Sequence, residues 1–140
     1  MSALTQDQRI KFGMTVALSG ATASITADIS GGPIALLQVA VFDSNNQIID
    51  GIGFDNFGPA ASSEVDGTAT WQFNPKANSS YVKWGVIAIR SAAGLGNYQV
   101  TGSMRDANGT PLASGQFSAA IPDGKLSDDI VYDGVFVNVP

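Results

Sequence analysis

Short runs in which apolar and polar residues alternate follow one another along the chain, and they constrain its fold more than any other feature. Alternation with a period of two places apolar side chains on one face of a β-strand and polar side chains on the other. Turn-forming residues separate the runs, which predicts about nine strands. The runs cover residues 9–19, 21–29, 35–42, 47–54, 68–73, 81–91, 98–104, 111–119 and 130–139.

The types of charged residue favour the same interpretation. Eleven of the twelve acidic residues are Asp, and Glu64 is the single Glu. Glu, Lys and Arg are typical of helix surfaces, whereas Asp, Asn and Gly are typical of turns. A chain of 140 residues is long enough to bury one core without disulfides or metal ions. We therefore expect an all-β fold, a single antiparallel β-sandwich that spans residues 1–140.

Two predicted hairpin turns share one sequence pattern at a spacing of 63 residues. Asp43 and Asn45 of the first turn correspond to Asp106 and Asn108 of the second. Two interpretations remain open. The match can arise because Asp and Asn recur in turns for local reasons, or because residues 13–75 and 76–138 are duplicated halves of one sandwich. Further identities at this spacing join Gly31 to Gly94, Phe54 to Phe117, Pro59 to Pro122, Asp66 to Asp129 and Phe73 to Phe136.

The charge balance and the length of the apolar runs exclude two classes of partner. The formal net charge is −5 at pH 7, whereas a phosphate backbone or an anionic membrane attracts a basic surface. No run approaches the ~18 apolar residues that a membrane-spanning helix needs. We expect neither nucleic acid binding nor a membrane span. Residues 1–8 show no signal peptide pattern, so we expect a cytoplasmic protein, one released without a recognisable signal peptide, or a mature form whose leader has been removed.

The chain contains neither His nor Cys, which bears directly on catalysis. These side chains supply most general bases near neutral pH, most zinc ligands and the thiolate nucleophiles. A hydrolase that uses two carboxylates is the enzyme class that remains, and turns and caps account for most of the aspartates. We therefore expect a protein that is not an enzyme.

Four aspartates lie within eleven residues near the C-terminus and are the candidate metal ligands. They are Asp123, Asp128, Asp129 and Asp133. Calcium takes six to eight oxygen ligands from carboxylates, carbonyls and water, so such a cluster is a possible calcium site. The alternative is that these side chains form turns and are solvated. No other cofactor is expected.

The segment that contains Asp133 also resembles part of a known family. Residues 132–138 (YDGVFVN) resemble the last strand of the calcium-dependent, sugar-binding β-sandwiches of soil bacteria. In that family an Asp/Asn loop and the chain end coordinate paired ions, which implies calcium and a sugar as ligands. The denser run of acids and the C-terminal glycine of the family are absent here.

The aromatic residues offer a second route to a ligand. Tyr81 and Tyr98, together with Asp133, are the candidate ligand-binding residues, because flat aromatic faces with a polar edge suit sugars. Trp71 and Trp84 share their strand faces with apolar residues, which predicts that both belong to the core.

The sequence thus predicts a non-catalytic binding or assembly module that associates with itself and binds carbohydrate in the manner of a lectin. The alternative from another class is a structural subunit of a fibre, a capsid or a secreted assembly. Only 14% of the residues are charged, and buried contacts between subunits would account for this low value. The expected partners are a second copy of the chain and carbohydrate.

Overall fold

The computed structural model describes residues 15–17, 22–91 and 96–139. These residues form a β-sandwich without helices, so none of them lies in a helix that could span a membrane. The strands are β1 (Thr15–Ala17), β2 (Ala23–Ser30), β3 (Ile34–Asp43), β4 (Ile48–Ile52), β5 (Ala61–Ser62), β6 (Thr68–Phe73), β7 (Ser79–Ile89), β8 (Asn97–Arg105), β9 (Pro111–Ala120) and β10 (Val131–Asn138).

The strands belong to two sheets that pack face to face. The six-stranded sheet has the order β1-β10-β7-β3-β4, and its sixth strand, β5, also pairs with β3. The four-stranded sheet has the order β6-β2-β8-β9. All pairs are antiparallel except β1 with β10. The predicted all-β sandwich is confirmed.

The predicted strands agree with the described ones apart from their ends and two elements. The first predicted run, residues 9–19, lies outside the described residues except for Thr15–Ala17. The sequence pattern missed Ala61–Ser62, which pairs with Leu36 and Leu37. Two residues are too few for an alternating pattern, and the pairing is decided by the neighbouring strand.

The main core lies between the two sheets and contains the inward residues of the alternating runs. Ile25, Leu37, Val39 and Val100 are completely buried there, and Trp84 is 2% exposed, as predicted. Each such side chain contributes roughly 1.5–3 kcal/mol when it leaves water. Trp71 is half-buried and stacks on a phenylalanine at the border of this core.

The outer face of the six-stranded sheet is also buried at its centre, which alternation alone does not predict. Phe42 and Tyr81 from adjacent strands form a second apolar cluster with Phe54 from the β4–β5 connection. Gln38 is fully buried on this face and donates from Nε2 to the carbonyl of Gly53 at 2.6 Å. The loop after β4 therefore covers part of the sheet.

The two hairpin turns with the shared sequence pattern have matching hydrogen bonds. Asp43 Oδ1 accepts hydrogen bonds from the amides of Asn45 and Gln47, both at 2.9 Å. Asp106 Oδ1 accepts from the amides two and four residues later, at 2.9 and 3.0 Å. In each turn the residue three positions after Asp has a positive φ, 65° in one and 80° in the other.

The strand pairs of the two halves correspond as well. When β2, β3, β4 and β6 are matched with β7, β8, β9 and β10, the order β6-β2-β8-β9 becomes β10-β7-β3-β4. Both hairpins carry a register shift at the same place, after Val41 in β3 and after Met104 in β8. These correspondences support the hypothesis of an internal duplication.

The spacing of 63 residues does not relate β2 to β7. Ser24 lies opposite Arg105, and Tyr81 lies opposite Phe42. Since Phe42 and Arg105 are 63 residues apart, Ser24 corresponds to Tyr81 and not to Ile87. The spacing thus differs by six residues. Four of them lie in the connection, since seven residues separate β7 from β8 but three separate β2 from β3, and the other two extend β7 beyond Ile87, the counterpart of Ser30. Gly94, part of the sequence match, lies outside the described residues.

Candidate functional site

The Asp-rich segment between β9 and β10 is a loop that Arg90 fastens to the end of β7. The Arg90 guanidinium donates from Nε to the carbonyl of Lys125 at 3.1 Å and from Nη2 to the carbonyl of Ile121 at 3.1 Å. The Arg90 amide donates to the carbonyl of Leu126 at 2.7 Å. Carbonyl groups of the loop therefore accept hydrogen bonds from the cationic Arg90 side chain.

Within this loop Asp128 is hydrogen-bonded to Tyr98, which belongs to β8 of the four-stranded sheet. The Tyr98 hydroxyl donates to Asp128 Oδ2 at 2.6 Å, and Asp128 Oδ1 accepts from the amide of Asp129 at 2.8 Å. The Asp128 amide donates to the carbonyl of Ala88 at 3.1 Å. Burial of Tyr98, and then its hydrogen bond to Asp128, raise the pKa of the Tyr98 phenol above its ordinary value. Tyr98 is therefore a neutral donor at physiological pH.

The aspartates predicted to bind calcium do not gather around a common point where they are described. Asp123 is exposed in a turn closed by a hydrogen bond from Lys125 to Pro122, and Asp129 is exposed beyond Asp128. Among the described residues no group of three or more acidic side chains could hold a metal ion. Asp128 is engaged with Tyr98, and a metal site formed by Asp123, Asp128, Asp129 and Asp133 stays a prediction. The Asp133 side chain lies outside the described residues.

The tyrosines predicted to contact a ligand are buried instead. Tyr81 is fully buried, with its ring centroid 6.1 Å from that of Phe42 and 5.0 Å from that of Phe136. Tyr98 is 4% exposed at the end of the main core. Neither ring offers a face on which a sugar could stack. Lys83, which also points away from the main core, is buried with its ammonium 4.0 Å from the centroid of the Tyr132 ring.

A shallow groove of about 470 Å³ lies beside Tyr98, at one end of the four-stranded sheet. It contains hydroxyl and amide side chains and no charged residue. Such groups donate and accept hydrogen bonds without a net charge, as sugar hydroxyls do. The groove is lined by Ser30, Gly31, Asn97, Tyr98, Gln99, Ser118 and Ala119.

The outer face of the four-stranded sheet carries small polar side chains in register across its strands. In one row Thr26 lies opposite Thr70 on one side and Ser103 on the other, and Ser103 lies opposite Ser114. In the next row Asp28 lies between Thr68 and Thr101, which lies opposite Gln116. The polar positions of the alternating runs indicate such a face, but the sequence analysis did not predict it as a feature of the surface.

Strand β9 forms the free edge of this sheet among the described residues. The Ile121 amide donates to the carbonyl of Gly96 at 2.8 Å, which identifies a hydrogen-bonded pair of the antiparallel ladder. Such pairs alternate along two antiparallel strands, so every second residue of β9 bonds to β8. The remaining residues direct their amides and carbonyls away from the sheet. They are Ser114, Gln116, Ser118 and Ala120.

The inner side of β9 is also incompletely covered. Leu112, Ala113, Phe117 and Ala119 pack against the main core and are only half-buried. By contrast, Val65 and Leu126 are the large apolar residues that are exposed among the described residues. The half-buried apolar side chains of β9 therefore lie along a strand edge.

The chain matches no family model, no curated protein and no solved structure. The sandwich fold hosts many unrelated functions, so the edges of the sheets and the groove beside Tyr98 are better guides to function than the fold.

Proposed function

We propose that this protein is a non-catalytic assembly module that associates with itself through the free edge of β9. The observation that carries the proposal is an edge of eight residues, from Ala113 to Ala120, in regular register and without a charged side chain. Four of these residues present backbone groups that are not paired with any other described strand. A strand of this kind is a template for pairing with another chain.

Strands β4 and β6 also lie at sheet edges and differ from β9 in ways that disfavour pairing. Strand β4 carries Asp50 and follows a register shift in β3, and bulges and charges hinder the addition of a strand. Strand β6 is uncharged but has six residues, and the turns on its two sides contain Asp66 and Lys76. Among these three edges, a long stretch without a charged side chain is therefore a property of β9.

Sedimentation velocity across micromolar to high micromolar concentration tests the proposal. We expect a mass above that of the 14.4 kDa chain, rising with concentration. Ser118→Pro removes one outward amide without affecting the ladder to β8, so it should shift the protein towards the monomer, whereas Ser118→Ala should not. A wild-type protein that remains a monodisperse monomer throughout this range would contradict the proposal.

A charged variant provides a second, independent test of the edge. Gln116→Lys places an ammonium beside the free edge and should weaken association, because two copies would bring two such charges together. Thr101→Lys is the matched control, since Thr101 lies opposite Gln116 on the same outer face but within the sheet. Equal loss of association in both variants would assign the effect to charge on the face instead of the edge.

Carbohydrate binding in the groove beside Tyr98 is the second candidate function. The neutral hydroxyl and amide lining favours it, although no aromatic face is exposed there. Titration with neutral mono- and oligosaccharides, followed by amide chemical shifts, should perturb Asn97 and Gln99 before other residues. Asn97→Ala should abolish these shifts and Gln72→Ala, on another row of the same sheet, should not. Absence of localised shifts at millimolar sugar would remove this candidate.

A further inference from the structure

We propose that two copies of the chain join through β9 as an antiparallel pair around a twofold axis at Phe117. This inference rests on the proposed self-association and names its partner and register. In this arrangement Gln116 faces Ser118 of the partner subunit, and Ser114 faces Ala120 of the partner subunit. The four-stranded sheets of the two copies then form one continuous sheet.

The positions of the outward backbone groups select this register. Hydrogen-bonded pairs in a new ladder must join outward residues, which are the even-numbered residues 114–120 of each strand. With the axis at Phe117, all four outward residues of one copy pair with outward residues 114–120 of the other copy, and no other axis achieves this. An axis displaced by one residue, at Gln116 or Ser118, leaves Ala120 or Ser114 without a counterpart in that stretch.

The inner side of the strand favours the same axis. Phe117 would lie opposite Phe117 of the partner subunit in a non-hydrogen-bonded pair, where side chains approach each other most closely. Phe117 is half-buried at the border of the core in a single copy. A second ring beside it would cover the exposed part, and aromatic pairs across antiparallel strands stabilise a sheet. On either side, Gly115 would lie opposite Ala119 of the partner subunit, so no large side chains compete for space.

A symmetric pair is favoured over a head-to-tail chain by the length of the edges. In the alternative contact, β9 of one copy would pair with β6 of the next, and repetition of this contact would build an open chain of copies. The Ile29 amide donates to the carbonyl of Gly67, so the outward residues of β6 are Thr68, Thr70 and Gln72. This edge offers three outward residues against four in β9.

Disulfide trapping tests the register, because the chain has no Cys and each introduced thiol is unique. Opposed Cα atoms in a non-hydrogen-bonded pair lie about 4.5 Å apart, within the ~4.4–6.8 Å range that a disulfide bridges. Phe117→Cys should therefore form a covalent dimer under mild oxidation. In Gln116→Cys or Ser118→Cys alone the two thiols lie diagonally, at about 7–8 Å, and neither variant should cross-link efficiently.

A mixture of Gln116→Cys and Ser118→Cys proteins provides a test that leaves the core residue Phe117 unchanged. These two positions face each other in the proposed register, so the mixture should form a disulfide between unlike chains, which differ in mass. Thr101→Cys, within the sheet, is the control for random collision. Cross-linking of Gln116→Cys alone above the mixture, or equal yields for all variants, would overturn the register.

The mass of the unmodified protein separates failure of this inference from failure of the proposed function. A dimer of twice 14.4 kDa with the expected cross-links supports both. Association with cross-links at another position, or growth into open polymers, overturns the twofold pairing at Phe117 and leaves self-association standing. A monomer at all concentrations overturns both.

Discussion

Gly102→Ala should destabilise the protein, because Gly102 provides the space that the Trp84 indole occupies between the sheets. A methyl group added at Gly102 would lie 2.6 Å from Trp84 Nε1 and 3.4 Å from Trp84 Cδ1. Favourable contacts between carbon atoms lie at about 3.5–4.0 Å, so the methyl group overlaps the ring. Trp84 is 2% exposed, so the ring can make room for the methyl group only by moving against other buried groups.

The expected magnitude follows from two opposing contributions. Overpacking of a core costs about 1–3 kcal/mol, whereas replacing Gly by Ala recovers about 0.4–1 kcal/mol by restricting the unfolded chain. We expect a net loss of about 1–2 kcal/mol in the free energy of unfolding. Denaturation in urea, followed by tryptophan fluorescence, should show a midpoint lowered on the order of 1 M for a typical dependence on urea. Thr101→Ala, on the exposed side of the same strand, is the control.

A double-mutant cycle with Trp84→Phe isolates the contact between the two residues. Trp84→Phe removes Nε1, which makes no hydrogen bond in the structure, and so creates space for the methyl group. The double variant should be more stable than the sum of the two single losses predicts, with a coupling energy of about 1–2 kcal/mol. Strict additivity, or a Gly102→Ala protein as stable as the wild type, would refute the reasoning.

Three other features lead to measurable outcomes. Asp43→Ala and Asp106→Ala each remove two hydrogen bonds from equivalent turns, so each should lower the free energy of unfolding by about 1–2 kcal/mol; clearly unequal losses by chemical denaturation would count against the duplication. Tyr98→Phe should cost about 1.5–3 kcal/mol near neutral pH, because the hydroxyl bonds to the Asp128 carboxylate. Since the pKa of Tyr98 is raised in the folded protein, its contribution is present below pH 10 and is lost as the pH rises further, so the melting temperature of Tyr98→Phe should fall less steeply above pH 10 than that of the wild type. Millimolar calcium and a chelator should give the same melting temperature, because Asp128 is occupied by its protein partners; a rise with the logarithm of the calcium concentration would restore the metal site.

The sequence by itself determined the class of fold and the places where the chain turns. Both follow from local physics: alternation decides which side chains share a face, and an Asp at the start of a turn bonds to amides two and four residues later. Asp43 and Asp106 meet these conditions with neighbours in the sequence, so their turns were predictable.

Only the tertiary structure decided which faces and edges are covered. Tyr81 points away from the main core, as the alternation predicts, but neighbouring strands and the loop after β4 bury it. The hydrogen bond between Asp128 and Tyr98 was not predictable from local sequence, because the two residues are 30 positions apart. The free edge of β9 follows from the order of strands in the sheet, which a period of two does not encode. A sequence pattern describes the two faces of a strand, whereas pairing and burial depend on contacts between residues far apart in the chain.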